Sequence, residues 1–216
     1  MTLPPDLVIF DCDGVLVDSE AMTLAIMRNS FAQHGLDLTT AQADSLFVGG
    51  TMRTAMQTAR KMGAVLPDDW VEQVYEEIYA ALAAGVELVP GIVSVLDALD
   101  AAGIRYGVGS NGRHEKMEIT LNRTGLMDRL QGRVFSRQDV AHPKPAPDLY
   151  LHVAAQLGVP ASRAVVVEDS PTGAQAAKAA GMVCFGFTAE THPDRMTPIC
   201  DAVFDRMDVL PGLLGV

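Results

Sequence analysis

From Pro90-Gly91 onward the chain alternates short apolar runs with amphipathic stretches, and this rhythm restricts the fold more than any other feature. The clearest run is Ala164-Val165-Val166-Val167, β-branched and without a polar interruption, as a strand buried on both faces requires. Further strands are expected at residues 105–109, near Arg133-Val134-Phe135, from Val183 to Phe187 and from Asp201 to Phe204. Between them the spacing predicts helices. Ile92, Val95, Leu96 and Leu99 mark one that ends near Gly103, a second covers residues 114–123, and a third runs from about Pro147 to Leu157. Ser170 and Pro171 are N-cap and first-turn residues of another helix, which Gly181 ends. Strand–helix units of this length imply a parallel sheet covered on both faces.

The first strand, Leu7-Val8-Ile9-Phe10, is separated from this series by a stretch with helical periodicity only. Residues 19–34 place Leu24, Met27 and Phe31 on one face, with Gly35 as a stop. Met52, Ala55, Met56, Ala59 and Met62 form one stripe, and Val71, Val74, Ile78 and Leu82 another, opened by Asp68-Asp69 behind Pro67. Methionine stripes of this kind are core rather than cofactor site, because Met is a flexible gap-filler. The expected organisation is a three-layer α/β core, residues 1–15 and 89–216, with a helical cap inserted at residues 16–88. A length of 216 residues accommodates one domain with a modest insertion.

Charge and composition then narrow the function. A formal charge of −11 argues against nucleic acid as a partner, since phosphate backbones need a basic face. A small anionic substrate stays compatible, because a metal ion and a few cations dominate locally. No apolar run reaches the length of a membrane span. Met1-Thr2-Leu3-Pro4-Pro5-Asp6 lacks the basic and apolar regions of a signal peptide, so a cytoplasmic location is expected. Cys12, Cys184 and Cys200 match no metal-site spacing and read as reduced thiols. Cys12 lies between two acids that disfavour a thiolate, so it is not read as a nucleophile. The oligomeric state is left open, a monomer being compatible with the sequence.

The acidic turn Asp11-Cys12-Asp13-Gly14-Val15 follows the first strand and presents two carboxylates at its carboxyl end, the edge where open α/β sheets bind ligands. Carboxylates so close raise each other's pKa unless a cation such as Mg²⁺ neutralises them. Three more loops fall at strand ends or helix starts. Ser110-Asn111 offers a hydroxyl and backbone N–H groups to a phosphoryl oxygen; Lys144 is fixed between Pro143 and Pro145; Glu168-Asp169 follows the valine strand. Each has an ordinary structural explanation alone: a common turn, a solvated lysine, an acid before a helix cap. Together they form one site, with acids for a metal and a hydroxyl and a lysine for a phosphate.

These residues resemble the haloacid dehalogenase-like (HAD) phosphohydrolase superfamily, in the subgroup with an α-helical cap after the first strand. The resemblance rests on Asp11-Cys12-Asp13-Gly14-Val15 and its extension to Glu20, Ser110, Lys144 and Glu168-Asp169, and spans residues 7 to about 187. Within it the chain resembles the β-phosphoglucomutase, phosphoglycolate phosphatase and 6-phosphogluconate phosphatase-like group. The resemblance implies a Rossmann-like core and a Mg²⁺-dependent phosphatase acting on a small phosphorylated metabolite, a sugar phosphate or phosphorylated sugar acid. Asp11 would be the nucleophile, forming an aspartyl-phosphate, and Asp13 the acid/base. Mg²⁺ would be held by Asp11, the carbonyl of Asp13 and Asp169, with Glu168 nearby or acting through water. Ser110, the Asn111 amide and Lys144 would bind the phosphoryl oxygens.

Three alternatives differ at named positions. Dehalogenases lack the second acid that Asp13 supplies here. Sugar-phosphate mutases carry an acid/base histidine where this chain has Thr23, and their cap-loop arginine follows Gly-x-Ser, whereas Gly49-Gly50-Thr51 is followed by Met52, with Arg53 one place late. A chain lacking that second acid/base defaults to hydrolysis. A non-catalytic metal-binding domain would show a missing nucleophile or lysine, and both are present. Gly49, Gly50 and Arg53 in the cap loop, and Arg113, His114 and Lys116 after Ser110-Asn111, are candidates for reading the leaving group, against the ordinary reading of solvated charges at helix starts.

Overall fold

Leu7–Phe10 (β1) has all its side chains buried and occupies an interior position of its sheet. The computed structural model describes residues 4–47 and 51–216. They divide into two units, Met1–Asp18 with Glu87–Val216, and Ser19–Val86. In the larger unit the remaining strands are β2 (Val17–Asp18), β3 (Glu87–Leu88), β4 (Arg105–Ser110), β5 (Val134–Ser136), β6 (Ala164–Glu168), β7 (Val183–Phe187) and β8 (Ala202–Phe204).

Six of these strands form a parallel sheet in the order β5-β4-β1-β6-β7-β8. The chain runs outward from β1 through β4 to β5, then returns to the other side of β1 for β6. That reversal is the position where an α/β sheet opens a crevice at its carboxyl edge. The register fixes which residues meet there: Phe10 lies opposite Val108 of β4 and Val167 of β6. Asp11, Ser110 and Glu168 therefore leave three adjacent strands at one edge. The sheet is held from below by apolar burial. Val165, Val166 and Val167 are fully buried, as are Leu7 and Ile9. At about 1.5–3 kcal/mol per buried aliphatic side chain, these strands alone outweigh the net stability of a typical domain before entropy is counted.

Helices fall where the apolar spacing places them, at Ile92–Ala101, His114–Arg123, Asp148–Gln156 and Pro171–Ala179. The last begins as its sequence requires: Ser170 Oγ accepts from the Gly173 N–H and Pro171 fills the first turn. Short helices at Met127–Leu130 and Leu210–Leu214 carry too few residues for periodicity to reveal.

The smaller unit contains helices Glu20–Gln33, Thr40–Phe47, Met52–Lys61 and Trp70–Ala84. Its core stacks Phe31 on Trp70, with centroids 5.0 Å apart and planes at 18°, and Trp70 Nε1 donates to Ser30 Oγ at 2.8 Å. Val71, Val74, Ile78 and Leu82 are buried as expected, but Met62, expected in the other stripe, caps its helix and is 44% exposed. The limits of this unit are narrower than the 16–88 read from periodicity. Val17 and Asp18 pair antiparallel with Leu88 and Glu87, and this two-residue ladder belongs to the larger unit. So short a pair leaves no alternation to detect. Among the described residues no helix is long and apolar enough to cross a membrane.

Candidate active site

β1 ends by passing its hydrogen bonding to β6: the Asp11 N–H donates to Val167 O at 3.0 Å. The chain then turns tightly, with Leu16 and Val17 N–H groups both donating to Cys12 O and Gly14 N–H donating to Val17 O. Gly14 takes φ +73°, a left-handed conformation that favours glycine. A Cβ there would lie 2.0 Å from Asp169 Oδ2, so only glycine leaves that carboxylate in place.

Lys144 is the hub of the site. Its Nζ donates to Asp11 Oδ1 at 2.9 Å and to Glu168 Oε1 at 2.6 Å, and it lies 4.6 Å from the centroid of the Tyr150 ring. Burial lowers the pKa of this ammonium, but Asp11 and Glu168 more than reverse the effect and leave it raised. Asn111 fixes the backbone beneath it: its Nδ2 donates to Lys144 O at 3.2 Å and its Oδ1 accepts the Lys144 N–H at 3.0 Å. Glu168 is fully committed. Oε1 accepts from Lys144 and from the Tyr150 hydroxyl at 2.7 Å, while Oε2 accepts from the Ser170 N–H and hydroxyl at 3.0 and 2.9 Å. Burial raises the Glu168 pKa, but Lys144 and these donors more than offset it, leaving it below the ordinary value. Gly173 makes this fold-back possible, since a Cβ there would sit 1.6 Å from Glu168 Oε1.

Ser110 is almost completely buried at the end of β4, and its Oγ accepts the Gly112 N–H at 2.9 Å. Ser136 at the end of β5 donates from its hydroxyl to Gly112 O at 2.6 Å, bracing the same loop. Asp13 is held by Lys116, whose Nζ lies 2.7 Å from Oδ1 with both side chains largely shielded. Burial lowers the Lys116 pKa, and its contact with Asp13 more than restores it, leaving it raised. Burial, then Asp13 and Asp11, push the Cys12 thiol well up, so it carries no thiolate.

Asp11, Glu168 and Asp169 bring ligand oxygens within 4.8 Å of one another, all on buried residues. Lys144 and Lys116 set two positive charges against the carboxylates of Asp11, Asp13, Glu168 and Asp169. A hard divalent cation suits both the oxygen donors and the excess negative charge, and the Cβ-free space beside Asp169 suits an oxygen-lined cradle.

The structure thus brings together Asp11, Asp13, Ser110, Asn111, Lys144, Glu168 and Asp169, the residues singled out from the sequence. It adds roles that sequence reasoning missed. Neither Tyr150, inside the expected helix, nor Ser136, just past the expected strand Arg133-Val134-Phe135, was singled out. The Asn111 side chain clamps Lys144, whereas only its backbone amide was expected to matter. Of the leaving-group candidates, Lys116 is engaged by Asp13, and His114 Nε2 lies 2.8 Å from Asp139 Oδ1. Arg113 is partly buried at the start of its helix, and Arg53 is exposed on the helix Met52–Lys61 of the smaller unit. Gly49 and Gly50 lie outside the described residues.

Comparison with known proteins agrees with this geometry. The family model for haloacid dehalogenase-like hydrolases matches residues 8–187. The chain is 29% identical over 208 residues to 6-phosphogluconate phosphatase of Escherichia coli, covering 95% of this chain and 93% of that one. It is 31% identical over 188 residues to validoxylamine A 7′-phosphate phosphatase of Streptomyces hygroscopicus subsp. limoneus, covering 85% of each. Among solved structures it superposes on a HAD-family hydrolase of Deinococcus radiodurans, with bound phosphate and sodium, at a TM-score of 0.84 and 29% identity, covering 99% of this chain and 98% of that one. With its motif residues gathered at one sheet edge and the match running through both units, this chain belongs to the haloacid dehalogenase-like hydrolase family.

Proposed function

We propose that this enzyme, a phosphoric monoester hydrolase, cleaves a small phosphorylated sugar or sugar acid through an aspartyl-phosphate formed on Asp11, with Mg²⁺ as its cofactor. The observation that carries this most directly is Lys144 held between Asp11 and Glu168, at 2.9 and 2.6 Å, on the strand edge that also presents Asp13 and Ser110.

Asp11 attacks phosphorus and the bond to the leaving oxygen breaks, while Asp13 delivers a proton to that oxygen. Asp13 then takes a proton from water, which attacks phosphorus and frees Asp11. The Ser110 hydroxyl, its lone pair occupied by the Gly112 N–H, donates its proton to a phosphoryl oxygen. The Asn111 N–H and Lys144 serve the others, and Lys144 also offsets the charge of Asp11. Glu168, Tyr150 and Asn111 keep Lys144 from swinging away. Asp11, Asp169 and the Asp13 carbonyl would hold Mg²⁺, with Glu168 nearby, and the bound ion would supply charge compensation for the transferring group.

The substrate class draws on the relatives, which act on 6-phosphogluconate and validoxylamine A 7′-phosphate. Thr23, at the position where the mutases would carry a histidine, does not favour mutase chemistry: its hydroxyl donates to Ser19 O at 2.8 Å and is not an acid/base group near neutral pH. The test is phosphate release from a panel of hexose phosphates, phosphorylated sugar acids and small phosphate esters, with Mg²⁺ and with EDTA. Mg²⁺-dependent release, lost in Asp11→Asn, is expected. Full activity in EDTA would remove the metal from the mechanism, and conversion of a hexose 1-phosphate to its 6-isomer without release would replace hydrolysis by mutase chemistry.

A further inference from the structure

Away from the reacting groups, Cys184 Sγ and Cys200 Sγ lie 3.8 Å apart at the β7–β8 side of the sheet. We propose that these two cysteines form a reversible intramolecular disulfide on exposure to a hydroperoxide, with Cys200 as the attacking thiol and Cys184 as the resolving one.

The backbone around the pair is already fixed in a bonded arrangement. The Asp201 N–H donates to Cys184 O at 2.8 Å, and the Cys184 N–H donates to Asp201 Oδ2 at 2.8 Å. Lys178 Nζ holds both oxygens of the same Asp201 carboxylate at 2.8 Å. Two segments locked at this spacing need only side-chain rotation and a slight shift to close the sulfurs by about 1.8 Å, to a bond length of about 2.05 Å. Space has been left for the Cys200 sulfur: a Cβ on Gly186 would stand 2.9 Å from it.

The division of labour follows from burial and charge. Cys184 is completely buried among apolar side chains, whereas Cys200 is only partly covered. The hydrogen bond between the sulfurs lowers the Cys200 pKa against the effect of burial and raises that of Cys184. Cys200 is therefore the more reachable sulfur and the one of the two whose ionised form the contact favours, and exposure and ionisation govern oxidation. Its thiolate attacks a peroxide oxygen, the O–O bond breaks, and hydroxide leaves with Cys200 as a sulfenic acid. The Cys184 sulfur then attacks the Cys200 sulfur, the S–O bond breaks, and water leaves with the Cys184 proton. Two thiols are oxidised and one hydroperoxide is reduced. A nearby resolving thiol diverts the sulfenic acid from irreversible conversion to sulfinic acid, so the pair protects Cys200 from permanent damage.

The full-length enzyme is treated with hydrogen peroxide, unfolded without reductant, alkylated and weighed. Of its three cysteines, only Cys12 should accept the alkylating reagent, with a mass deficit of two hydrogens and a Cys184–Cys200 linked peptide; dithiothreitol should restore all three. Cys200→Ser should lose the cross-link. Cys184→Ala should instead gain two oxygens at Cys200 that dithiothreitol does not remove. Three alkylated cysteines after peroxide, cross-links only between chains, or equal sulfinic acid in the wild type and Cys184→Ala would overturn the proposal.

Discussion

The Asp11 carboxyl, raised to about 7 without metal, makes stability a reporter of the site. Burial is the main cause; Lys144 opposes it, and Glu168 and Asp13 add to it. In the unfolded chain the same group titrates near 3.8. Between those values the folded protein holds a proton that the unfolded chain has lost, so stability falls as pH rises. Glu168 acts in the opposite sense, its contribution being present above its unfolded value of 4.5 and lost as pH falls below it. The raised Lys144 and Lys116 contribute constantly until pH passes their unfolded value of 10.5. Among the shifted groups of the site, Asp11 therefore governs the range between about pH 5 and about pH 7. A shift of roughly three units corresponds to at most about 4 kcal/mol. The side chain keeps 13% of its surface in water, so only ~1–2 kcal/mol is expected across that narrower range. For a chain of this size that is a fall of ~3–6 °C in Tm. Thermal melts of the wild type and Asp11→Asn in EDTA, stepped from about pH 5 to about pH 7.5, provide the assay. The wild type should lose stability along the series while the variant stays level, and added Mg²⁺ should raise the wild-type Tm most at the upper end, where Asp11 ionises most readily. Parallel curves for the two proteins would refute the assignment of the slope to Asp11.

Lys144→Met leaves two buried carboxylates without their cation and should cost about 3–5 kcal/mol in metal-free protein as well as turnover; melts and phosphate release read the two losses, and retained turnover would contradict its role. Gly14→Ala forces a Cβ against Asp169 in a left-handed turn. Mg²⁺ affinity by titration calorimetry should drop by roughly 10–100-fold, with an unchanged affinity arguing against Asp169 as a ligand. Tyr150→Phe keeps the ring near Lys144 but removes a buried hydrogen bond to Glu168, for a loss of about 1–2 kcal/mol; an unchanged Tm would mean that the hydroxyl contributes nothing.

Much of this fold was legible because its elements have one strong local cause each. Ala164–Val167 is apolar throughout and forms an interior strand; Ser170-Pro171 is a cap and first turn, and begins a helix where those residues stand. The acidic turn, Ser110, Lys144 and Glu168-Asp169 were found because unlike chemical groups recur at the same kind of place, the end of a strand. What escaped notice depends on partners distant in sequence. Tyr150 sits in an apolar stripe, and only folding sets its hydroxyl on Glu168, 18 positions away. Asn111 clamps Lys144 across 33 positions, and Lys116 reaches Asp13 across 103. Periodicity carries no trace of such pairs. It also overstated Met62, whose position at the helix end turns it to solvent.

The antiparallel β2–β3 ladder has a consequence for how this chain can change over generations. Val17–Asp18 and Glu87–Leu88 bring the two ends of the inserted segment into register, so its departure and return are neighbours. To the larger unit the whole segment Ser19–Val86 is topologically a hairpin loop. Closing a loop grows costlier only with the logarithm of its length, so segments of very different size can be grafted there at little entropic cost. The ladder works as a socket: what is plugged into it can be exchanged for a longer or shorter segment, while the six-stranded sheet goes on folding as before.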